Sequence, residues 1–311
     1  MYFPYLRARQ FELITLRELV AEGALQKIMP VIEPVKESFN NLDIAHKIFL
    51  ENDFNLYLIV NPFEGKASGD TDVFLNYINS IDNSKFLPAF HYSDNLAYIN
   101  EKIDEYSLTD CLLICLDNFS DEDGFRVLCQ NPAVTHIMLL EPNKFRSLDR
   151  FVKRLDKYYI RLDDLFEKQQ RNADFLEISA HKLTEEHSYY SEEGYNGFSD
   201  FTVLPNEFME GGSTPRAVVI HLTYQNHDED GNPIWIRHFT SETGKDSITN
   251  VQGKFYEAAK KAIQFCDELP LNNSAIAELR KYYNDAKYPG LGTVKKISIK
   301  NHLLIVSNFL A

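Results

Sequence analysis

The chain has 311 residues, 44% hydrophobic and 25% charged, with 46 acidic against 32 basic side chains and a formal net charge of −14. That length and apolar content suit one large soluble domain with its own core, and exclude a miniprotein held by staples. The negative charge disfavours sequence-blind binding to nucleic acid or to an anionic membrane.

In chain order, the opening MYFPYLRARQFEL carries arginines where a leader would be apolar, and no apolar run reaches membrane-spanning length. Short apolar runs then follow one another. They are KIMPVIEP to Glu33, LYLIVNP to Asn61, KFLPAFHY to His91, CLLICLDN to Asp117, HIMLLEP to Glu141, KYYIRLDD to Asp164, DFTVLP to Leu204 and RAVVIHLTY to Tyr224. Each is nearly continuous in apolar character, as strands buried on both faces are. Between them, NLDIAHKIFLEN, DTDVFLNYINSI and SDNLAYINEKIDEY space their apolar residues along one helical face. Alternating strand and helix predicts parallel pairing with right-handed crossovers. Eight such units predict an α/β fold, a (β/α)8 TIM-barrel-like single domain. No Gly-x-Gly-x-x-Gly follows the first run, which argues against an open dinucleotide-binding sheet. The barrel is expected over residues 1–266, with a long loop at 165–199 and a hairpin at 217–241 around the acidic turn QNHDEDGNP. Residues 267–311 are expected to form a helical extension packed on the barrel. Cys111, Cys115, Cys129 and Cys266 lack zinc spacing and secreted-scaffold density, so they read as reduced thiols of a cytoplasmic protein.

The stretch YFPYLRARQFELITLREL, followed by IMPVIEP, resembles the opening of the phage-type beta protein family and its bacterial relatives. The matching residues are Tyr2 or Phe3, Pro4, Leu6, Arg7, Arg9, Glu12 and Glu33, with Phe11 where the family usually has glycine. GFSDF at Gly197–Phe201 is similar to the family's Gly-Asp-Tyr segment, and LFEKQQRNADF, IHLTY, IRHFTS and GLGTVKK resemble its bacterial subgroup. The resemblance spans most of the chain and implies a role in phage–host conflict. It implies no reaction.

In a parallel barrel, the carboxyl ends of the strands converge on one mouth. Here those ends carry Glu33, Asn61, His91, Asp117, Glu141 and Asp163–Asp164. Oxygen donors of mixed charge suit a hard divalent cation, Mg or Mn, which orients phosphate or activates water. One expectation is therefore a hydrolase or phosphodiesterase site. Glu33, Asp117 and Glu141 would be both metal ligands and catalytic groups, and Asn61, His91 and Asp164 would touch the ligand. Changes at the three acids would then remove activity and leave folding intact. The competing reading is that polar residues end strands because the chain leaves the core there.

After the sixth run, Lys168, Gln169, Arg171 and Asn172 could clamp a phosphate, such as a nucleotide's, or a carboxylate, or be an ordinary solvated helix with Glu167 and Arg171 four residues apart. Tyr189, Tyr190, Tyr195 and Phe198, flexed at Gly194 and Gly197, could close over the mouth as a lid, with Tyr195 on the ligand. They could equally cover the outer wall or meet a partner. His221-Leu-Thr and His238-Phe-Thr echo two-histidine phosphoesterases, but core histidines fit one hairpin better. His238 stays a catalytic candidate at the rim. Arg7, Arg9, Glu12 and Arg17 are expected to pair across the closed end of the barrel, and Asp200 to begin its strand there. The alternative function is a non-enzymatic interaction module, whose loop and basic tail (Lys295, Lys296, Lys300) dock a protein partner such as a nuclease-like neighbour.

Overall fold

The structure, a computed structural model, describes residues 1–66, 68–208, 216–244 and 247–311. An eight-stranded parallel sheet runs in chain order: β1 (Tyr5–Arg7), β2 (Val31–Glu33), β3 (Leu56–Ile59), β4 (Phe86–Tyr92), β5 (Cys111–Cys115), β6 (Val134–Leu140), β7 (Tyr158–Asp163) and β9 (Gly197–Asp200). Helices α1 (Gln10–Ala21), α2 (Asn40–Glu51), α3 (Val73–Asn79), α4 (Leu96–Glu105), α5 (Glu122–Gln130) and α6 (Arg146–Val152) make the crossovers between the first seven strands. Helix α2 buries Leu42, Ala45, His46 and Phe49, one stripe at the helical period. Alternate strand residues, among them Tyr5, Val31, Tyr57, Ala89, Ile114, Met138 and Ile160, point inward and fill the lumen as one apolar cluster. The fold is the expected TIM-barrel-like one.

The barrel closes nearly fully. Phe3 N donates to Phe198 O at 2.9 Å and Phe198 N to Met1 O at 3.1 Å, so β9 joins the residues just before β1. Gly197 permits this approach: a Cβ there would lie 2.7 Å from the Phe3 ring. These bonds lie at the amino end of the seam. Above them, the segments leaving β1 and β9 wall a cleft.

Two of the eight expected runs differ, and one barrel strand lies outside them. Of the run DFTVLP only Asp200 is in a strand, because the barrel strand is the preceding Gly197–Asp200. The first barrel strand, β1, is not among the expected runs. The run RAVVIHLTY is instead β10 (Val219–Gln225), which pairs antiparallel with β11 (Ile234–Thr240). β11 also pairs with β8 (Ala180–Thr184), giving a separate three-stranded sheet. Within that sheet, β10 is largely buried, so it carries the same nearly continuous apolar signature as a parallel strand. One face meets α9 (Val251–Glu268), where Tyr224 and Phe239 pack on Phe265. The other meets Phe166, Phe175 and α11 (Leu291–Leu310), whose Asn301 Nδ2 donates to Thr223 O at 2.8 Å. Helix α10 (Ser274–Asn284) packs against α9 and α11.

The basic tail is interior to the fold. Lys295 pairs with Glu12, Lys296 with Glu18 and Lys300 with Glu22, each at 2.7 Å, joining α11 to α1. At the start of α11, the Phe11 ring sits over Gly292, where a Cβ would lie 1.9 Å from it. Further along, Tyr2 Oη donates to Asp200 Oδ1 at 2.6 Å and meets His302 Nε2 at 3.0 Å. Helix α11 is therefore largely a buried strut, with its three lysines held in ion pairs to α1. The four cysteines are buried and unbonded to one another, and burial pushes the Cys111 thiol up to about 12 and Cys266 up to about 11. Among the described residues, no helix is long and apolar enough to cross a membrane.

Candidate functional site

The barrel mouth holds several of the expected residues in a self-contained network. Glu33, 1% exposed, accepts from Phe63 N at 2.8 Å and Glu64 N at 3.3 Å on Oε1. Its Oε2 accepts from Tyr5 Oη at 2.8 Å and pairs with Arg7 at 3.0 Å. Burial opposes the charge on Glu33. His91, Arg7, the Tyr5 hydroxyl and the Phe63 amide more than offset it and hold the carboxyl below its ordinary value. His91 is stacked under Phe63 at 4.0 Å and meets Tyr5 Oη at 2.9 Å, and burial lowers it to about 4. Asn61 and His91 exchange side-chain-to-backbone bonds at 2.8 Å across adjacent strands.

The expected metal triad is not assembled. Glu33 is enclosed by four donors, Glu141 pairs with Lys144, and Asp117 stands exposed beyond β5. Among the described residues, no group of three or more His, Cys, Asp or Glu side chains is placed to hold a metal ion. Asp164 is exposed at the mouth, in the field of Glu141 and Lys144.

The lid expectation also fails. Tyr195 is 3% exposed, packs on Tyr159 and donates to Asp149 Oδ1 at 3.0 Å, while Phe198 lies within β9 and stacks on Tyr2 at 4.9 Å. The loop enters the amino end of a parallel strand, so it lies at the end of the barrel opposite the mouth. Asp200 is the last residue of β9, beside Asp163, and turns outward to α11.

The open site is beside the mouth. A cleft of about 990 Å³ lies between the upper ends of β1 and β9, the segment after β7, the three-stranded sheet and the start of α11. Six cationic side chains line it: Arg7, Arg9, Lys168, Arg171, Arg216 and Lys295, against the carboxylates of Glu12 and Glu207. Glu12 pairs with Lys295, Glu207 with Lys168, and from behind the wall Glu33 pairs with Arg7 and Asp174 with Arg171. Among the described residues that line the cleft, six are cationic and two are acidic. Glu12 is buried, which raises its pKa, and its Oε2 has no partner. Amides of Gln169, Gln170 and Asn172 and the rings of Phe166, Phe175 and Phe208 complete the lining. The Arg9 guanidinium lies 4.5 Å from the centre of the Phe208 ring.

The expected clamp of Lys168, Arg171 and Asn172 is thus brought into one cavity, with Asn172 Nδ2 donating to Ala217 O at 2.9 Å. Arg7, Arg9 and Glu12 line the same cavity at the open end, not the closed one, because they lie at and just beyond the carboxyl end of β1, which faces the mouth. His238 is not on the rim. It is buried in the three-stranded sheet, behind the cleft-lining His221. Sequence reasoning missed Arg216, Lys295 and the phenylalanines. The only local signal was the basic pair Arg7-Ala-Arg9 after a short apolar stretch. Comparison of the chain with family models, with curated proteins and with solved structures gives no match. The resemblance drawn from the amino-terminal motif stands on the sequence alone.

Proposed function

We propose that this protein binds a nucleotide in the cleft beside the barrel mouth, within the phage–host setting that the resemblance implies. The observation that carries the reading is the lining: cations and amides for phosphate, and aromatic faces for a base, in one cavity. Arginine matches phosphate oxygens two at a time, and an aromatic ring accepts any base. Titration calorimetry with ADP, adenosine and inorganic phosphate tests it. ADP should bind more tightly than either fragment, and added salt should weaken it. The Lys168→Ala/Arg216→Ala variant should lose about tenfold or more in affinity. No binding of any nucleotide by the folded protein would refute the reading.

One observation favours the second reading, an interaction module. Arg146, Arg150 and Arg154 stand exposed beside Arg126 and Phe151 around a basin of about 560 Å³ on the outer surface. A partner docked there would be lost on Arg146→Glu/Arg150→Glu, a change that leaves nucleotide binding in the cleft untouched.

A further inference from the structure

One wall of the cleft contains a line of three imidazoles. His221 on β10 and His238 on β11 are directly opposite across the antiparallel pair, with Nδ1 to Nδ1 at 2.7 Å. His238 Nε2 lies 3.4 Å from His181 Nδ1 on β8. Phe166 meets the His221 ring edge-on at 5.2 Å and Phe175 lies 4.5 Å from His238, so apolar faces surround the line. His181 Nε2 ends it, buried and without a partner. At the other end His221 lines the cleft, and its Nε2 is neither bonded to a described residue nor sealed from solvent.

We propose that this protein hydrolyses a phosphate ester of the nucleotide it binds, with His221 Nε2 as the general base and His238 and His181 as positioning residues. The inference rests on the nucleotide-binding reading. A direct Nδ1···Nδ1 bond needs one protonated and one bare nitrogen. With the proton on His221 Nδ1, His238 accepts there and donates from Nε2 to His181, and His221 Nε2 presents its lone pair to the cleft. A proton on His238 Nδ1 would satisfy the same two contacts in the opposite sense and put N–H on His221 Nε2, so the proposal requires the first arrangement. Burial lowers His221 to about 3 and His238 to about 2, so the line is uncharged at neutral pH. A phosphate entering beside Nε2 favours the imidazolium and raises the basicity of His221 when the substrate is in place.

In the reaction, a water oxygen bonds to phosphorus while His221 Nε2 takes its proton. The bond from phosphorus to the ester oxygen breaks, and the leaving oxygen takes the proton back from Nε2. The products are an alcohol and a phosphate, with no redox change. Lys168, Arg171 and Arg216, in the same lining, neutralise the phosphoryl oxygens.

The test offers AMP, ADP and 2′,3′-cyclic AMP to the full-length protein and follows products by chromatography, with binding measured separately. At least one probe should be hydrolysed. His221→Gln should lower kcat by about 10²–10⁴-fold and leave nucleotide affinity within about threefold. His238→Gln should lower kcat and displace the acid limb of its pH profile, and added imidazole should restore part of the rate to His221→Ala. Nucleotide binding without hydrolysis of any probe, or an unchanged rate in His221→Gln, would overturn the inference alone. Absence of binding would overturn both it and the reading of the cleft.

Discussion

The barrel mouth and the neighbouring cleft hold similar residue types and use them in opposite ways. At the mouth, Glu33 meets two backbone amides, a tyrosine and an arginine, and the Asn61 amide both donates to and accepts from the His91 backbone, with His91 Nδ1 unpartnered among the described residues. In the cleft, six cations and two acids among the described residues line open volume, with aromatic rings in the same space. A polar group enclosed by its partners holds the fold together; charged and aromatic groups around open volume leave room for a ligand. The distinction lies in the open space beside the groups, which residue identity alone does not give.

The strongest way to break this comparison is Glu33→Ala. Removing it strands the Arg7 charge, the Tyr5 hydroxyl and two amides in a buried setting, and should cost about 3–5 kcal/mol in urea unfolding. A loss below about 1 kcal/mol would mean that the mouth is not a closed structural network. The original expectation, that such a change spares the fold, would then return.

Acid sharpens the same contrast. Burial lowers His91 to about 4 and His136 to about 4, so the folded state prefers their neutral forms. That stability is complete above the ordinary imidazole value of about 6.5 and is lost as pH falls through about 4. Each should contribute on the order of 1–3 kcal/mol. Urea midpoints between about pH 7 and pH 4.5 should drop, and drop less in His91→Asn. An equal drop in the variant would remove His91 from the account.

Two small effects complete the series. Tyr195→Phe deletes the hydroxyl bond to Asp149 and should cost about 1 kcal/mol, with nucleotide affinity unchanged. A loss of affinity would restore the loop as part of the site. Glu141→Gln removes an exposed pair with Lys144 and should change stability by about 0.5 kcal/mol or less.

Much of the barrel was legible because β2 to β7 are buried on both faces, and their apolar runs sit between helices with regular stripes. β1 was not: Arg7 and Arg9 follow Tyr5-Leu6 directly, whereas the equally short β2 sits inside the longer apolar run KIMPVIEP. β10 misled because a largely buried strand looks alike in parallel and antiparallel sheets. Of the site, Lys168, Arg171 and Asn172 were legible from residue type in one short segment. Arg7, Arg216 and Lys295 come from three distant parts of the chain and meet only through the fold. His221 and His238 were visible as a pair, but their ring contact depends on strand register, and His181 joins through β8, which no apolar run marked.

The strut formed by α11 has a consequence for biosynthesis. Tyr2 and His302 share one buried bond, and Lys295 reaches Glu12, so the first crossover gains its outer cover only from the last helix. During translation, the apolar flank of α1 stays uncovered until residues 291–310 leave the ribosome. Contacts of such long sequence separation form late and slowly. A nascent chain stalled before that point offers chaperones a nearly complete barrel with one side bare, the side that residues 291–310 cover.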